Sequence, residues 1–245
     1  GGLHNATENA LLKVEQMQAE GVDIIDIGGQ STRPGAKQIS AQEEWQRIAS
    51  TLKTVRQKWP KLPISIDTFY ADVAARAVDA GADIINDISA GTLDCKMFET
   101  VAKLKVPYVL MHMQGTPQTM QKNPAYQVTV AEILRDFSKN IATLRNLGVD
   151  DIIIDPGFGF GKTVAHNYEL LKNLSDFKIL ELPVMVGLSR KRMINEVLHT
   201  TPKTALNGTT ALHAFAIERG VNILRVHDVK EAKEVVSLYQ TMQNA

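Results

Sequence analysis

Seven short runs of Val, Ile and Leu in this chain each end at a residue whose side chain can bind or catalyse. An unbroken apolar run of about four to six residues is typical of a β-strand that is buried on both faces. Helix-length segments separate the runs, so the pattern predicts repeated βαβ units around a parallel sheet. The polar residues at the ends of the runs are Asp26, Asp67, Asn86, Asp87, His112, Asp155, Ser189, Arg225 and His227.

The length of the chain favours a closed barrel. With 245 residues, the chain matches one (β/α)8 barrel, or TIM barrel, a fold of typically ~250 residues. We find no linker, repeat or low-complexity segment, so we expect one domain over residues 1–245. In such a barrel the active site lies at the C-terminal ends of the strands, where this chain carries its carboxylates, amide, imidazoles and guanidinium. This placement favours an enzyme.

Eight helical blocks are predicted beside the seven strands. The first begins near a capping Asn5 or Thr7 and ends before Gly21. The others lie at about 43–58, 70–80, 94–104, 128–147, 165–174, 191–198 with 204–219, and 229–243. Gly21, Gly81, Gly148 and Gly220 each stand just before a strand, as glycines that end helices do. Because a helix precedes the first visible strand, we expect that a first strand and its loop lie before Gly1.

Composition excludes several classes of protein. Lys plus Arg and Asp plus Glu both number 27, which argues against a protein that binds nucleic acid through bulk charge. No apolar run approaches the ~20 residues that cross a bilayer. The single cysteine, Cys95, forbids an internal disulfide and favours the reducing cytosol. We therefore expect a cytoplasmic protein.

Two loops contain glycines and polar residues that suit a ligand. Residues 28–35, GGQSTRPG, are typical either of a mobile loop that closes over an anion or of a solvated crossover. Residues 155–163, DPGFGFGKT, fail the P-loop pattern because Pro156 stands where a glycine is required. We interpret the second loop as a strand-end carboxylate, Asp155, followed by a flexible floor. Phe158 and Phe160 then pack either on a planar substrate or in the core.

Cationic residues follow the last two strands. Three cations, at positions 190–192, open a helix and so oppose its dipole, which indicates either a bound anion or a solvated charge run. Arg225 and His227 alternate along an extended segment, so their side chains point to the same side. We expect this pair, with a helix that Asp228 caps, to bind a group of pyrophosphate size.

Other catalytic centres are not indicated. The chain has no Cys/His spacing for zinc and no His-Glu-x-x-His motif. It has no Gly-x-Ser-x-Gly elbow, so an acyl-transfer nucleophile is not expected. His112 ends a strand and is predicted to be a core histidine, whereas His166 and His199 are predicted at the surface.

Seven motifs in order closely resemble the bacterial dihydropteroate synthase family. They are GGQSTRPG (28–35), SIDT (65–68), IINDI (84–88), LMHMQG (110–115), DPGFGFGK (155–162), SRK (189–191) and RVHDV (225–229). The resemblance runs in register from residue 1 to about 240. One element departs from it, because the family's first strand ends in a loop whose asparagine helps to hold Mg²⁺. That segment would lie before Gly1, so we expect no metal ligand in the chain itself.

The resemblance implies a transferase of folate biosynthesis. It would condense 7,8-dihydropterin-6-ylmethyl diphosphate with 4-aminobenzoate, giving 7,8-dihydropteroate and pyrophosphate. Pyrophosphate would leave first, and the arylamine would capture the resulting pterin cation without an enzyme nucleophile. The resemblance also implies Mg²⁺ as cofactor, a homodimer and inhibition by sulfonamides.

The resemblance assigns the residues of the site as follows. Catalysis falls to Lys191, Arg225 and His227. The pterin contacts are Asp67, Asn86, Met111, Asp155, Gly187 and Lys191. The aminobenzoate pocket contains Thr32, Arg33, Pro34, Phe160 and Ser189. The diphosphate contacts are Asp67, Asn86, Arg225 and His227.

Two alternatives share the pterin-reading residues. A methyltetrahydrofolate:corrinoid methyltransferase would have no use for the Ser-Thr-Arg-Pro loop, the Ser-Arg-Lys segment or the Arg-x-His site. A pterin-binding barrel without catalysis should have lost strand-end residues, and none is lost after residue 1.

Overall fold

The computed structural model describes residues 2–31, 35–122 and 124–245, with side chains from residue 7 onward. The positions of all seven predicted strands are confirmed, but their predicted burial on both faces is wrong for the first and the last, which are only partly buried. They are β1 (Ile25–Gly28), β2 (Ile64–Asp67), β3 (Ile84–Asp87), β4 (Tyr108–Met111), β5 (Ile152–Asp155), β6 (Met185–Val186) and β7 (Ile223–Leu224).

The predicted helical blocks are confirmed within a few residues. They are α1 (Gly2–Ala19), α2 (Ala41–Lys58), α3 (Ala71–Asp79), α4 (Met97–Leu104), α5 (Thr129–Asn146), α6 (Val164–Lys172), α7 (Arg192–Leu198), α8 (Leu206–Glu218) and α9 (Val229–Gln243). A 3₁₀ helix at Leu174–Leu180 was not predicted. The predicted cap of α1 is wrong, because the helix already begins at Gly2. Thr7 lies inside α1, where its hydroxyl is 2.8 Å from that of Ser50.

The strands pair in the order of the chain. β1 to β5 form one sheet, and the neighbouring strands from β1 to β4 run parallel to one another. β6 and β7 form a second parallel pair, and Ile154 of β5 makes a parallel bridge to Val184 just before β6. The predicted parallel α/β class is confirmed, whereas closure of the barrel stays a prediction.

The chain forms two compact units. The first comprises the residues up to Met111 together with Ile141–Ile152, and the second comprises His112–Asn140 and Ile153–Ala245. In the first unit β2 is buried along its whole length, and Leu52 and Val55 of α2 are fully buried. In the second unit Phe137 and Phe177 pack edge to face, with ring centroids 6.0 Å apart. The single domain over residues 1–245 stays a prediction.

Four helices end at the glycines that the sequence indicated. Gly21, Gly81, Gly148 and Gly220 all have positive φ, between 78° and 102°.

Within the described residues, none of the helices combines the length and the apolar character needed to cross a membrane.

Gly157 is the glycine whose replacement should cost most among those near the strand ends. Its φ is +72°, and a β-carbon there would lie 1.9 Å from the carbonyl oxygen of His112. We expect Gly157→Ala to lower the free energy of unfolding by about 2–4 kcal/mol, through backbone strain and a clash with main chain. Urea denaturation measures the loss.

Gly35→Ala is the matched control for this variant. Gly35 has a similar φ of +76°, but a β-carbon there would meet nothing within 4 Å. It should therefore report the conformational cost alone, about 1 kcal/mol. Equal losses of stability in the two variants would show that the backbone at His112 shifts to accommodate the new β-carbon, so that the close approach does not exclude a side chain at position 157.

Candidate active site

The first unit places two polar side chains at the ends of neighbouring strands. Asp67 ends β2 and is 6% exposed, whereas Asn86 on β3 is 3% exposed. The Asn86 amide donates to Asp26 Oδ2 at 3.2 Å, and Asp67 is packed beside Gly28 of β1. Met111 ends β4 and is also buried. Of the predicted pterin contacts in this unit, all three therefore lie at C-terminal strand ends.

A buried glutamate that the sequence reasoning missed lies beside Asp67. Glu44 of α2 is completely buried, and its Oε2 accepts a hydrogen bond from Thr68 Oγ1 at 3.1 Å. Burial raises the pKa of Glu44 to about 7, Thr68 opposes the rise and Asp67 adds to it. The signal was present in the sequence, because Glu44 stands four residues before Ile48 on the apolar face of α2.

We expect Glu44→Gln to remove a pH dependence of stability. Between pH 4.5 and about 7 the unfolded chain loses the proton of Glu44 while the folded chain keeps it. The free energy of unfolding therefore falls as the pH rises through this window, by about 3 kcal/mol. Glutamine cannot ionise, so the variant should lack this fall in urea denaturation at pH 4.5 and pH 8.

The neighbouring Glu43→Gln serves as the control for this prediction. Glu43 is exposed and pairs with Arg47 at 2.7 Å. Its replacement should change stability by less than about 0.5 kcal/mol at either pH. If Glu44→Gln kept the pH dependence of the original chain, Glu44 would not be the group that titrates.

In the second unit, Asp155 is the buried centre of a cationic cluster. It ends β5 and is 5% exposed, and its Oδ1 accepts the N–H of Gly157 at 2.8 Å. Burial raises the pKa of Asp155, and the positive charge of Lys191 opposes that rise, as do Arg225 and Lys162. The carboxylate thus lies among three cations that offset part of the effect of its burial.

Lys191 reaches towards the glycine-rich loop after β5. It is the residue before α7, and its ammonium donates to the carbonyl oxygen of Phe158 and lies 4.8 Å from the ring centre of Phe160. Burial lowers the pKa of Lys191 to about 8; Asp155 raises it and Arg225 lowers it further. Gly187 is close by, since a β-carbon there would lie 3.9 Å from the Lys191 ammonium.

Lys162 is a second buried cation, and its role was not predicted. Its ammonium lies 3.0 Å from the Gly157 carbonyl, 3.1 Å from the Phe160 carbonyl and 3.1 Å from His112 Nδ1. Burial lowers the pKa of Lys162 to about 7 and that of His112 to about 3. Lys162 therefore links the loop after β5 to His112, which follows β4. His112 is buried, so its prediction as a core histidine is confirmed.

The ends of β6 and β7 are joined through Ser189 and His227. The backbone N–H of Arg225 donates to the carbonyl oxygen of Val186 at 2.8 Å, which continues the pairing of the two strands. Ser189 is 5% exposed, and its hydroxyl lies 2.9 Å from His227 Nδ1. The side chains of Arg225 and His227 are exposed, as a site for a soluble anion requires.

The run of cations at 190–192 divides into three separate roles. Arg190 makes two hydrogen bonds of 2.8 Å to Asp228, and exposed Arg192 pairs with Glu196. Only Lys191 of this run contributes to the cluster around Asp155. The predicted side-chain cap of α9 by Asp228 is wrong, because Arg190 occupies that carboxylate.

The remaining predicted residues fall into three groups. Thr32, Arg33 and Pro34 lie outside the described residues. Phe158 is completely buried, which confirms the core alternative, whereas Phe160 is half-buried beside Lys191. The surface prediction for His166 is incomplete, since its ring accepts the Thr163 N–H in the capping box of α6. Among described residues, no group of three or more His, Cys, Asp or Glu is arranged to hold a metal ion.

Comparison with known proteins identifies similar sequences and structures. A family model described as "Pterin binding enzyme" matches residues 1–227. The dihydropteroate synthase of Escherichia coli (strain K12) is 40% identical over 247 residues, which cover 100% of this chain and 87% of that protein. The Yersinia pestis dihydropteroate synthase, solved as a sulfonamide drug complex, gives a TM-score of 0.95 at 40% identity, covering 100% of this chain and 89% of that one.

Structures of a third relative contain small molecules of interest. Xanthomonas albilineans dihydropteroate synthase with 4-aminobenzoic acid gives a TM-score of 0.92 at 39% identity, covering 98% of this chain and 86% of that one. The same protein in complex with 7,8-dihydropteroate gives a TM-score of 0.90 at 36% identity, covering 99% of this chain and 89% of that one. Both likenesses extend over nearly the whole chain.

Proposed function

Because the chain belongs to the dihydropteroate synthase family of pterin-binding enzymes, we propose the following assignment of its residues to that reaction. The enzyme condenses 7,8-dihydropterin-6-ylmethyl diphosphate with 4-aminobenzoate to give 7,8-dihydropteroate and pyrophosphate. The observation that carries the assignment is the cluster of Asp155 with Lys191 and Arg225, one buried acceptor beside two cations. The relatives named above are all synthases, so neither the methyltransferase nor the non-catalytic alternative gains support.

Asp155 is the principal reader of the pterin. The 2-amino group and the adjacent ring N–H of a pterin present two donors side by side, which suit a carboxylate. Burial raises the pKa of Asp155, and the nearby cations oppose that rise and so support the ionised form, which is the form that accepts both donors. Lys191 supplies a donor for the oxygen edge of the same ring. Asp67, Asn86, Met111 and Gly187 complete the proposed set of pterin contacts, on the strength of their motifs.

Arg225 and His227 stabilise the leaving group. The C–O bond at the pterin methylene breaks, and pyrophosphate leaves with the electron pair. The pterin ring delocalises the resulting positive charge, and the arylamine nitrogen then forms the C–N bond and loses a proton. The side chains bind and orient the two substrates, and no enzyme nucleophile takes part. Asp67 and Asn86 are further proposed contacts of the diphosphate.

The aminobenzoate pocket is assigned to Phe160 and Ser189 together with Thr32, Arg33 and Pro34. The Phe160 ring offers a face for the arene, and the ammonium of Lys191 lies 4.8 Å from its centre. Sulfonamide drugs, which occupy the Yersinia pestis relative, are proposed to compete for this pocket.

Three further properties remain proposals from the family resemblance. Mg²⁺ would assist the departure of pyrophosphate, but the described residues contain no group of three metal-binding side chains, so we derive no step through it. A homodimer and a cytoplasmic location are proposed on the same grounds, together with the single free cysteine, Cys95.

The proposed function is tested by product formation. The protein is incubated with the pterin diphosphate, 4-aminobenzoate and Mg²⁺, and dihydropteroate and pyrophosphate are quantified separately. We expect both products in equal amounts over many turnovers. Without 4-aminobenzoate we expect no dihydropteroate and at most one pyrophosphate per enzyme molecule, because pyrophosphate leaves before the arylamine attacks. Continuous release of pyrophosphate over many turnovers without the arylamine would indicate a hydrolase and contradict the proposal.

A further inference from the structure

The buried hydroxyl of Ser189 forms hydrogen bonds with both the main chain and the ring of His227. The backbone N–H of His227 donates to Ser189 Oγ at 3.3 Å, and the same oxygen lies 2.9 Å from His227 Nδ1. Ser189 is 5% exposed, so water competes little for its hydroxyl. Two bonds from one atom restrict both the position of His227 and the rotation of its ring.

The single proton of the Ser189 hydroxyl determines which ring nitrogen of His227 carries a proton. A serine hydroxyl has one proton to donate and two lone pairs that accept. If Oγ accepts the His227 amide and gives its proton to Nδ1, the neutral imidazole carries its own proton on Nε2. An N–H at Nε2 is the group that an anionic diphosphate requires.

A second link holds the same two segments together. Arg190, the residue after Ser189, makes two hydrogen bonds of 2.8 Å to Asp228, the residue after His227. The Arg190 amide also donates to the buried hydroxyl of Thr209 in α8 at 3.0 Å. Successive residues of one segment thus pair with successive residues of the other, so the Ser189 hydroxyl is presented on a well-anchored backbone.

We propose that Ser189 is a positioning residue that orients His227 and keeps the Nε2 proton of its neutral ring available to the leaving diphosphate. This inference rests on the proposed function, in which His227 binds the diphosphate. It adds to the assignment of Ser189 to the aminobenzoate pocket. A hydroxyl that served the aminobenzoate alone would have no effect on pyrophosphate.

The test is a double-mutant cycle on pyrophosphate binding, measured by calorimetry with the full chain. We expect Ser189→Ala to weaken binding by roughly threefold to tenfold, the effect of one hydrogen bond. In a His227→Ala background the same replacement should change the affinity by less than about twofold, since its only route is lost. Ser189→Thr retains the hydroxyl and should restore most of the affinity, and thermal melting checks that each variant is folded.

A spectroscopic measurement separates orientation from a general effect on the fold. Nitrogen-15 spectra of the imidazole rings report which nitrogen carries the proton, and His227→Ala identifies the signals of His227. We expect the Nε2–H tautomer in the original chain and a mixture of tautomers in Ser189→Ala. An Nδ1–H tautomer in the original chain would overturn the proposal.

The cycle also separates this proposal from the proposed function. If Ser189→Ala weakens pyrophosphate binding equally with and without His227, the hydroxyl does not act through the ring and the proposal is wrong. If His227→Ala itself leaves pyrophosphate affinity unchanged, the assignment of His227 to the diphosphate fails, and this inference fails with it. Absence of dihydropteroate formation in the original chain would instead refute the function.

Discussion

Replacing Asp155 with asparagine should weaken the binding of a diphosphate-free pterin by roughly tenfold to more than a hundredfold. An amide presents one acceptor where two pterin donors arrive, so one donor is left buried without a partner. The replacement also removes a negative charge that lies close to Lys191, Arg225 and Lys162. Titration calorimetry measures the affinity, and the pKa of Lys191 should fall below about 8, because Asp155 now raises it.

Asp151→Asn is the matched control for this prediction. Asp151 immediately precedes β5, at the opposite end of the strand, and it is exposed. The same change of carboxylate to amide there should leave pterin affinity within about twofold. An Asp155→Asn protein that folds and binds pterin with full affinity would remove Asp155 from the site.

Replacing Arg225 with alanine should separate the diphosphate from the pterin ring. We expect turnover to fall on the order of a hundredfold or more, since a donor aimed at developing negative charge is lost. Pyrophosphate affinity should fall with it. Binding of a diphosphate-free pterin should change by less than about threefold, because Arg225 is exposed and solvent screens its charge from Asp155.

Arg192→Ala tests whether removing any nearby cation lowers turnover and pyrophosphate affinity. Arg192 opens α7 one residue after Lys191, but its side chain is 74% exposed and pairs with Glu196. Its removal should leave both turnover and pyrophosphate affinity close to those of the original chain. If Arg225→Ala lost bare pterin and pyrophosphate to the same extent, the guanidinium would belong to the ring pocket.

The difference between Arg190 and Lys191 shows how far the sequence could predict the site. Both are cations that follow one strand, and their positions alone cannot distinguish an anion site from a structural ion pair. The partner of Arg190 is Asp228, 38 residues away in sequence, which the sequence suggested as a helix cap. The pairing depends on β6 and β7 lying side by side, so it could not be read from either segment alone.

Two buried ionisable residues, Lys162 and Glu44, were also not identified from the sequence. Lys162 stands in a glycine-rich loop and resembles a surface cation, yet three oxygen and nitrogen acceptors surround its ammonium. Those acceptors belong to the loop itself and to His112, 50 residues away. Glu44 carried a weak signal in the pattern of α2, but its burial beside Asp67 required the folded chain.

What the sequence determined by itself is local in origin. Apolar runs without alternation determine where the strands form, glycines with positive φ end the helices, and the residue at each strand end is part of the same short segment. The pattern of the chain alone therefore indicates Asp67, Asn86, Asp155 and Arg225 as candidate site residues. What only the tertiary structure decided is which distant groups meet. Ser189 with His227, Arg190 with Asp228 and Lys162 with His112 are contacts between segments far apart in the chain, because hydrogen bonds and desolvation depend on distances in space.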